Sequence, residues 1–226
     1  MSLEEESQGS AFARSDTSRV EAFSDSVLGI ILTLLIFGIK TPQVEPGELL
    51  AGLLLQWPGY VAYLASFVYL AVIWLNHQAL FARVRSVDRG LKWANIGVLF
   101  TASLLPFPTA VLSTALQTDN IADQHTAIAL YALVAGLMVA SWMLIWYYLH
   151  NHPRLQEPHV DADFFRDGRL RAGAGVALYA VGVVLGYLLT PWIAVAVFLL
   201  LPPFYALTSE GLKDSPLRVR TRSERS

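Results

Sequence analysis

The sequence predicts an all-α fold, a polytopic membrane protein with six transmembrane helices, and three observations carry that prediction. Of 226 residues, 54% are hydrophobic and 15% charged, with a mean hydropathy of +0.47, more apolar surface than a water-soluble single domain would carry. The apolar residues gather into runs near the length of about 20 residues that a spanning helix needs, separated by turn-rich or charged connectors. Fifteen of the 16 Lys and Arg residues lie in the two termini and in alternate connectors, and Lys40 alone lies on the other side. That asymmetry places both termini in the cytoplasm. Cysteine is absent, which excludes disulfides and thiolate metal sites.

Residues 1–18 are polar and acidic, lack the apolar core of a cleavable signal peptide, and are expected to form a disordered cytoplasmic leader. The first span starts at Arg19 and runs through Ile39. Its connector carries Pro42 and Pro46, which would not continue a helix. A second span covers 53–74 and extends through 81; a basic loop, 83–92, leads to a third, 93–116, which Pro106 and Pro108 should kink. The linker 117–124 holds two aspartates and no Lys or Arg, and the fourth span covers 126–149. The longest polar connection, 150–169, contains Phe164 and Phe165 and suits a short interfacial helix. Spans at 170–189 and 191–207 close the bundle, the first with Gly173, Gly175, Gly182 and Gly186 for close helix packing. One six-helix domain, 19–209, thus precedes a basic cytoplasmic tail, 210–226.

The first span carries the unusual chemistry. Arg19, Glu21 and Asp25 crowd its entry, and a carboxylate within a spanning segment costs about 2.5–3.5 kcal/mol on insertion scales, so Asp25 should face protein or water. At 100° per residue, Ile30, Leu34 and Phe37 fall within about 60° of one another with Ser26 and Thr33 beside them, while Asp25 points away toward neighbouring helices. Such a ladder serves equally as a lipid-facing stripe, a core stripe or the wall of a pore. One helix cannot enclose a water path, whereas symmetric copies around an axis can, and a narrow apolar ring gates by dewetting.

The run Arg19-x-x-x-Phe23-Ser24-Asp25 ahead of an apolar helix resembles the signature of the transmembrane protein 175 family, potassium channels without a carbonyl-lined filter. The segments Trp74-Leu75-Asn76-His77-Gln78-Ala79-Leu80-Phe81 and Leu104-Leu105-Pro106-Phe107-Pro108-Thr109 agree with it. The Phe-Ser-Asp motif is not duplicated, so the chain is similar to the prokaryotic branch, in which one six-helix subunit assembles as a homotetramer. The resemblance implies that the first helix lines the pore, with Ile30 at the constriction, Leu34 and Phe37 as further apolar rings, and Thr33 as a hydroxyl ring bearing on selectivity. The potassium path then passes Ile30 and Thr33. Phe37 departs from the more usual aliphatic residue. Arg19, Phe23, Ser24 and Asp25 hold helices together in the family, and His77 joins that network.

Beside that expectation stand plainer readings. A spanning threonine such as Thr33 commonly bonds a preceding carbonyl, Asp25 with Arg19 suits a structural clasp better than an ion site, and His77 suits a fixed hydrogen-bond network. His125, His150, His152 and His159 occupy connectors and do not make a metal site. No phosphate loop, nucleophile elbow or His-Glu-x-x-His helix occurs, so no enzyme chemistry and no cofactor are expected beyond the permeant potassium ion. The partners expected are further copies of the chain and membrane lipid; nucleic-acid binding has no support. A cation-coupled or proton-coupled secondary transporter is the alternative to a cell-membrane channel, and it would require broken helices in internal repeats.

Overall fold

The computed structural model describes residues 3–118, 120–158 and 162–208. Among the described residues eight α-helices follow in order: α1 Leu3–Leu34, α2 Leu49–Leu55, α3 Trp57–Phe81, α4 Arg89–Ser103, α5 Pro106–Ala115, α6 Ile121–Asn151, α7 Ala162–Leu188 and α8 Pro191–Thr208. The tail 210–226 lies outside the described residues. Among those residues, four runs are long and apolar enough to cross a membrane: Asp16–Gly38, Trp57–Phe81, Arg89–Ala115 and Ile121–Asn151. Gly173–Leu188 and Pro191–Leu200 are shorter apolar helical stretches.

The breaks follow from proline chemistry. Pro106 has no N–H to donate, so α4 ends in 3-10 bonds, Leu104 N to Thr101 O and Leu105 N to Ala102 O, and α5 restarts at Pro106. The expected kink is therefore a full interruption of one span. Likewise the second span does not start at 53. Residues 49–55 form the separate helix α2, and α3 begins at Trp57 with Pro58 in its first turn, where a missing N–H costs nothing. Gly47, at φ 97°, makes the left-handed turn ahead of α2.

α1 as described takes in residues 3–18 ahead of the first span, where extending a formed helix needs only propagation and no proline interrupts the run. One further expectation changes. Among the described residues of the connection 150–169 there is no separate interfacial helix: α6 continues to Asn151, a 3-10 turn covers Pro153–Leu155, and Phe164 and Phe165 belong to α7, which has begun by Ala162.

The core forms where α3, α4, α5 and α6 meet, with Leu70, Leu80, Val98, Leu105, Ile128 and Ile145 all buried. α7 and α8 pack together and onto α6 and α3. Gly182 and Gly186 make that approach possible, since a Cβ at Gly186 would lie 2.5 Å from Ala194 and one at Gly182 2.6 Å from Val197. Gly173 meets nothing within 4 Å and has no such role.

At one end of the bundle, the α3–α4 loop is tied to the segment after α6. The backbone N–H of Arg85 donates to Leu155 O, and that of Glu157 to Arg83 O. Asp88 caps α4 by accepting from Leu91 N at 2.9 Å, and it also accepts from the Tyr148 hydroxyl at 3.0 Å.

Candidate functional site: the first spanning helix

Among the four described runs long and apolar enough to cross a membrane, that of α1 is the least enclosed. Of its most apolar window 22% is buried, against 50% for Trp57–Phe81 and for Arg89–Ala115. It packs on α3 and α4 through Ser24, Leu28, Ile31 and Leu35, all buried at helical spacing. The opposite face carries Arg19, Phe23, Ser26, Ile30, Thr33, Leu34 and Phe37, all exposed. Ile30 is 59% exposed and Phe37 79%. The last turn tightens to a 3-10 helix over Leu35–Gly38, where each residue advances by about 120°. Ile36 therefore comes out to the surface beside Phe37, and Gly38 settles against Ala110 of α5, where a Cβ would lie 3.4 Å away.

The polar residues of α1 divide by face. Ser24 Oγ donates to Val20 O at 2.9 Å and accepts from Asn95 Nδ2 on α4 at 2.8 Å. That contact orients the Asn95 amide, so its Oδ1 faces His77 Nε2 on α3 at 2.9 Å. Nε2 must then carry the proton, which leaves Nδ1 bare, and it is buried with no hydrogen-bond partner. Phe81 stacks on the imidazole at 4.4 Å, and Trp142 meets it edge-on at 6.3 Å. Asp25, half-buried, accepts from the Trp74 indole N–H at 2.9 Å. Ser24 and Asp25 thus tie α1 to both helices beneath it.

Ser24 and His77 come together through Asn95, and Asp25 finds Trp74; Arg19 and Phe23 do neither. No ion pair joins Arg19 to Asp25 among the described residues. The ion pair to α4 is made instead by Asp16 and Lys92 at 2.8 Å. Its side chains are 40% and 48% exposed, so water and salt screen it. Sequence reasoning missed Trp74 and Asn95 as partners. Trp74 lies three residues before His77 and so shares its helix face, and Asn95 is a lone amide inside an apolar run, the kind of residue that needs an intramembrane partner.

On the exposed face the hydroxyls bond only their own helix. Thr33 Oγ1 donates to Ile30 O at 2.7 Å, and Ser26 Oγ to Ala22 O at 2.8 Å. With their protons committed, both oxygens are left as acceptors toward the outside, able to face a cation or the hydrogens of water. Among the described residues, no group of three or more His, Asp or Glu side chains is placed to hold a metal ion.

The family described as endosomal/lysosomal potassium channel TMEM175 matches residues 19–106, the stretch that contains the Ser24–Asn95–His77 network. A potassium channel of Streptomyces collinus is 39% identical over 78% of this chain and 85% of its own length. The chain belongs to the TMEM175 family. Human TMEM175, an endosomal/lysosomal proton channel, is 39% identical over 38% of this chain and 18% of its own length. The crystal structure of a lysosomal potassium-selective channel TMEM175 homolog from Chamaesiphon minutus aligns with a TM-score of 0.74 at 31% identity, covering 85% of this chain and 97% of that one. TMEM175 membership makes this a multi-pass membrane protein of a cation-channel family, which is not a class of enzymes.

Proposed function

We propose that the chain is a potassium-selective channel of the cell membrane, a homotetramer in which four α1 helices surround the conduction path. Six spans with both termini in the cytoplasm complete the subunit, a topology that the Lys and Arg distribution supports. One observation carries this reading: of the four described runs long and apolar enough to span, α1 is the least buried, and its exposed residues repeat at three- and four-residue spacing from Phe23 to Phe37. A water path accommodates Arg19, Ser26 and Thr33 on one stripe with the apolar ladder.

Ile30, Leu34 and Phe37 form apolar rings that bar hydrated ions until the helices move apart. Thr33 supplies the selective element, because its oxygen, already a hydrogen-bond donor to Ile30 O, offers only lone pairs to the path. Potassium gives up its hydration at a smaller cost than sodium, so a few neutral oxygens replace enough of its shell. Ser24, Asp25 and His77 keep α1 fixed on its own subunit, while Arg19 and Phe23 are left to meet the neighbouring copy. Lipid and the other subunits are the partners, and potassium is the permeant ligand.

The absence of cysteine permits a direct test. Ile30→Cys should give oxidative cross-links between subunits in liposomes, and Leu28→Cys, on the buried face, should not. Cross-linking at both positions, or at neither, contradicts the assembly.

A further inference from the structure

A cleft of about 460 Å³ opens between the turn that ends the first span and helices α5 and α6. Its wall along α5 includes Phe107, Val111 and Ala115, which follow one helix face through about 12 Å of rise. Phe107 is exposed at its rim. Two opposite charges line it, Lys40 after the first span and Asp123 in the first turn of α6, both at the same end of the bundle. They form no ion pair with each other, and neither side chain is engaged in a hydrogen bond or ion pair among the described residues.

Three threonines sharpen the chemistry. Thr114 Oγ1 donates to Ala110 O, Thr118 Oγ1 to Ala115 O and Thr126 Oγ1 to Ala122 O. Each hydroxyl proton is committed to backbone, so the lone pairs left on these cleft-lining residues can only accept. Together with the Asp123 carboxylate they suit a ligand group with N–H donors and positive charge, and Lys40 suits an anion beside it.

The geometry points to a binding site for a phosphatidylethanolamine-type lipid, with its phosphate on Lys40, its primary ammonium among Asp123 and the threonine oxygens, and one acyl chain along Phe107 and Val111. A primary ammonium donates hydrogen bonds that a quaternary one cannot, and a headgroup with net negative charge would be repelled by Asp123. The cleft volume falls in the range of ordinary small-ligand sites, about 300–1,000 Å³. Binding here does not depend on how ions cross the protein.

Titration of the full-length protein, stripped of lipid in detergent, with short-chain phosphatidylethanolamine, phosphatidylcholine and phosphatidylglycerol tests the site. The ethanolamine lipid should bind about tenfold more tightly than either of the others. Asp123→Asn should erase its preference over phosphatidylcholine, and Lys40→Gln should weaken all three. Both residues are exposed, so neither substitution threatens the fold. Glycerophosphoethanolamine, which lacks the chains, should bind about tenfold more weakly than the lipid; equal binding would make this a headgroup site rather than a lipid site and overturn the assignment. Equal affinity for the ethanolamine and choline lipids would also overturn it, as would a preference for phosphatidylglycerol. If no lipid binds and Phe107→Ser dissociates the oligomer, a second copy fills the cleft and the assignment fails.

Discussion

The hydroxyl groups inside α3, α5 and α6 behave differently from those on the outer face of α1. Ser66, Thr109 and Tyr131 are fully buried, with Ser66 Oγ 2.7 Å from Thr109 Oγ1 and 3.0 Å from the Tyr131 hydroxyl, so one cluster joins three helices. Ser26 and Thr33 are exposed and bond nothing beyond their own helix. A hydroxyl that is satisfied between helices contributes to packing. One whose oxygen is left open on an exposed stripe contributes little to the single subunit and is free to serve water or an ion. The same division runs through α1 itself, with Ser24 and Asp25 on the holding face and Thr33 on the open one.

The largest effect should come from breaking the holding face. Asn95→Leu keeps the approximate size but orphans the buried His77 Nε2–H, at about 1–3 kcal/mol, and removes the Asn95–Ser24 bond, about 0.5–1.5 kcal/mol more, while Ser24 keeps its bond to Val20 O. Denaturation in micelles measures this, and unchanged stability would show that the network does not fasten α1. A smaller loss is expected for Asp25→Ala, which orphans one donor, the Trp74 indole; hydrogen bonds to charged groups contribute about 1.5–3 kcal/mol. Asp25→Asn retains an acceptor and should recover most of it.

Thr33→Val should move stability by no more than about 0.5 kcal/mol. If the open face lines the path, the same substitution lowers the potassium over sodium preference measured from bi-ionic reversal potentials. An unchanged ratio would reduce Thr33 to its bond with Ile30 O.

The smallest effect concerns pH. Burial pushes the Asp88 carboxyl up, but the Leu91 N–H, the Tyr148 hydroxyl and the positive charges of His152 and Arg154 together hold it below the usual carboxylate range. A depressed folded pKa means stability that is present above the unfolded value of about 3.9 and is lost as pH falls through the folded value. Acid unfolding of Asp88→Asn should therefore show a shallower loss below about pH 4 than the parent. Parallel acid limbs would remove Asp88 from the clasp between the α3–α4 loop and α6.

Much of this was legible in the sequence. Periodicity alone put Ile30, Leu34 and Phe37 on one face and turned Asp25 away from it, because a helix fixes angles whatever surrounds it. The partners were not legible, since nothing in α1 says which side chains of α3 and α4 will arrive opposite Ser24 and Asp25. Arg19 looked like the natural mate of Asp25 by charge. Six residues apart on a helix, however, they sit on different faces, and the indole of Trp74 takes the carboxylate. The interruptions were half legible. Pro106 marked a kink, but whether the span bends or restarts depends on how α5 packs against α3 and α6.

Two exposed apolar residues of equal standing give the most direct test of the central claim. Ile30 on α1 is 59% exposed and Leu133 on α6 is 61% exposed, so each should respond alike to asparagine if both face lipid. On the reading proposed, Ile30→Asn places water-holding amides in the constriction. Planar-bilayer recordings should then show higher resting conductance with a lower potassium over sodium ratio. Leu133→Asn should reduce the yield of protein while leaving the currents of surviving channels unchanged. Equal effects of the two substitutions on conductance and selectivity would contradict a path lined by α1.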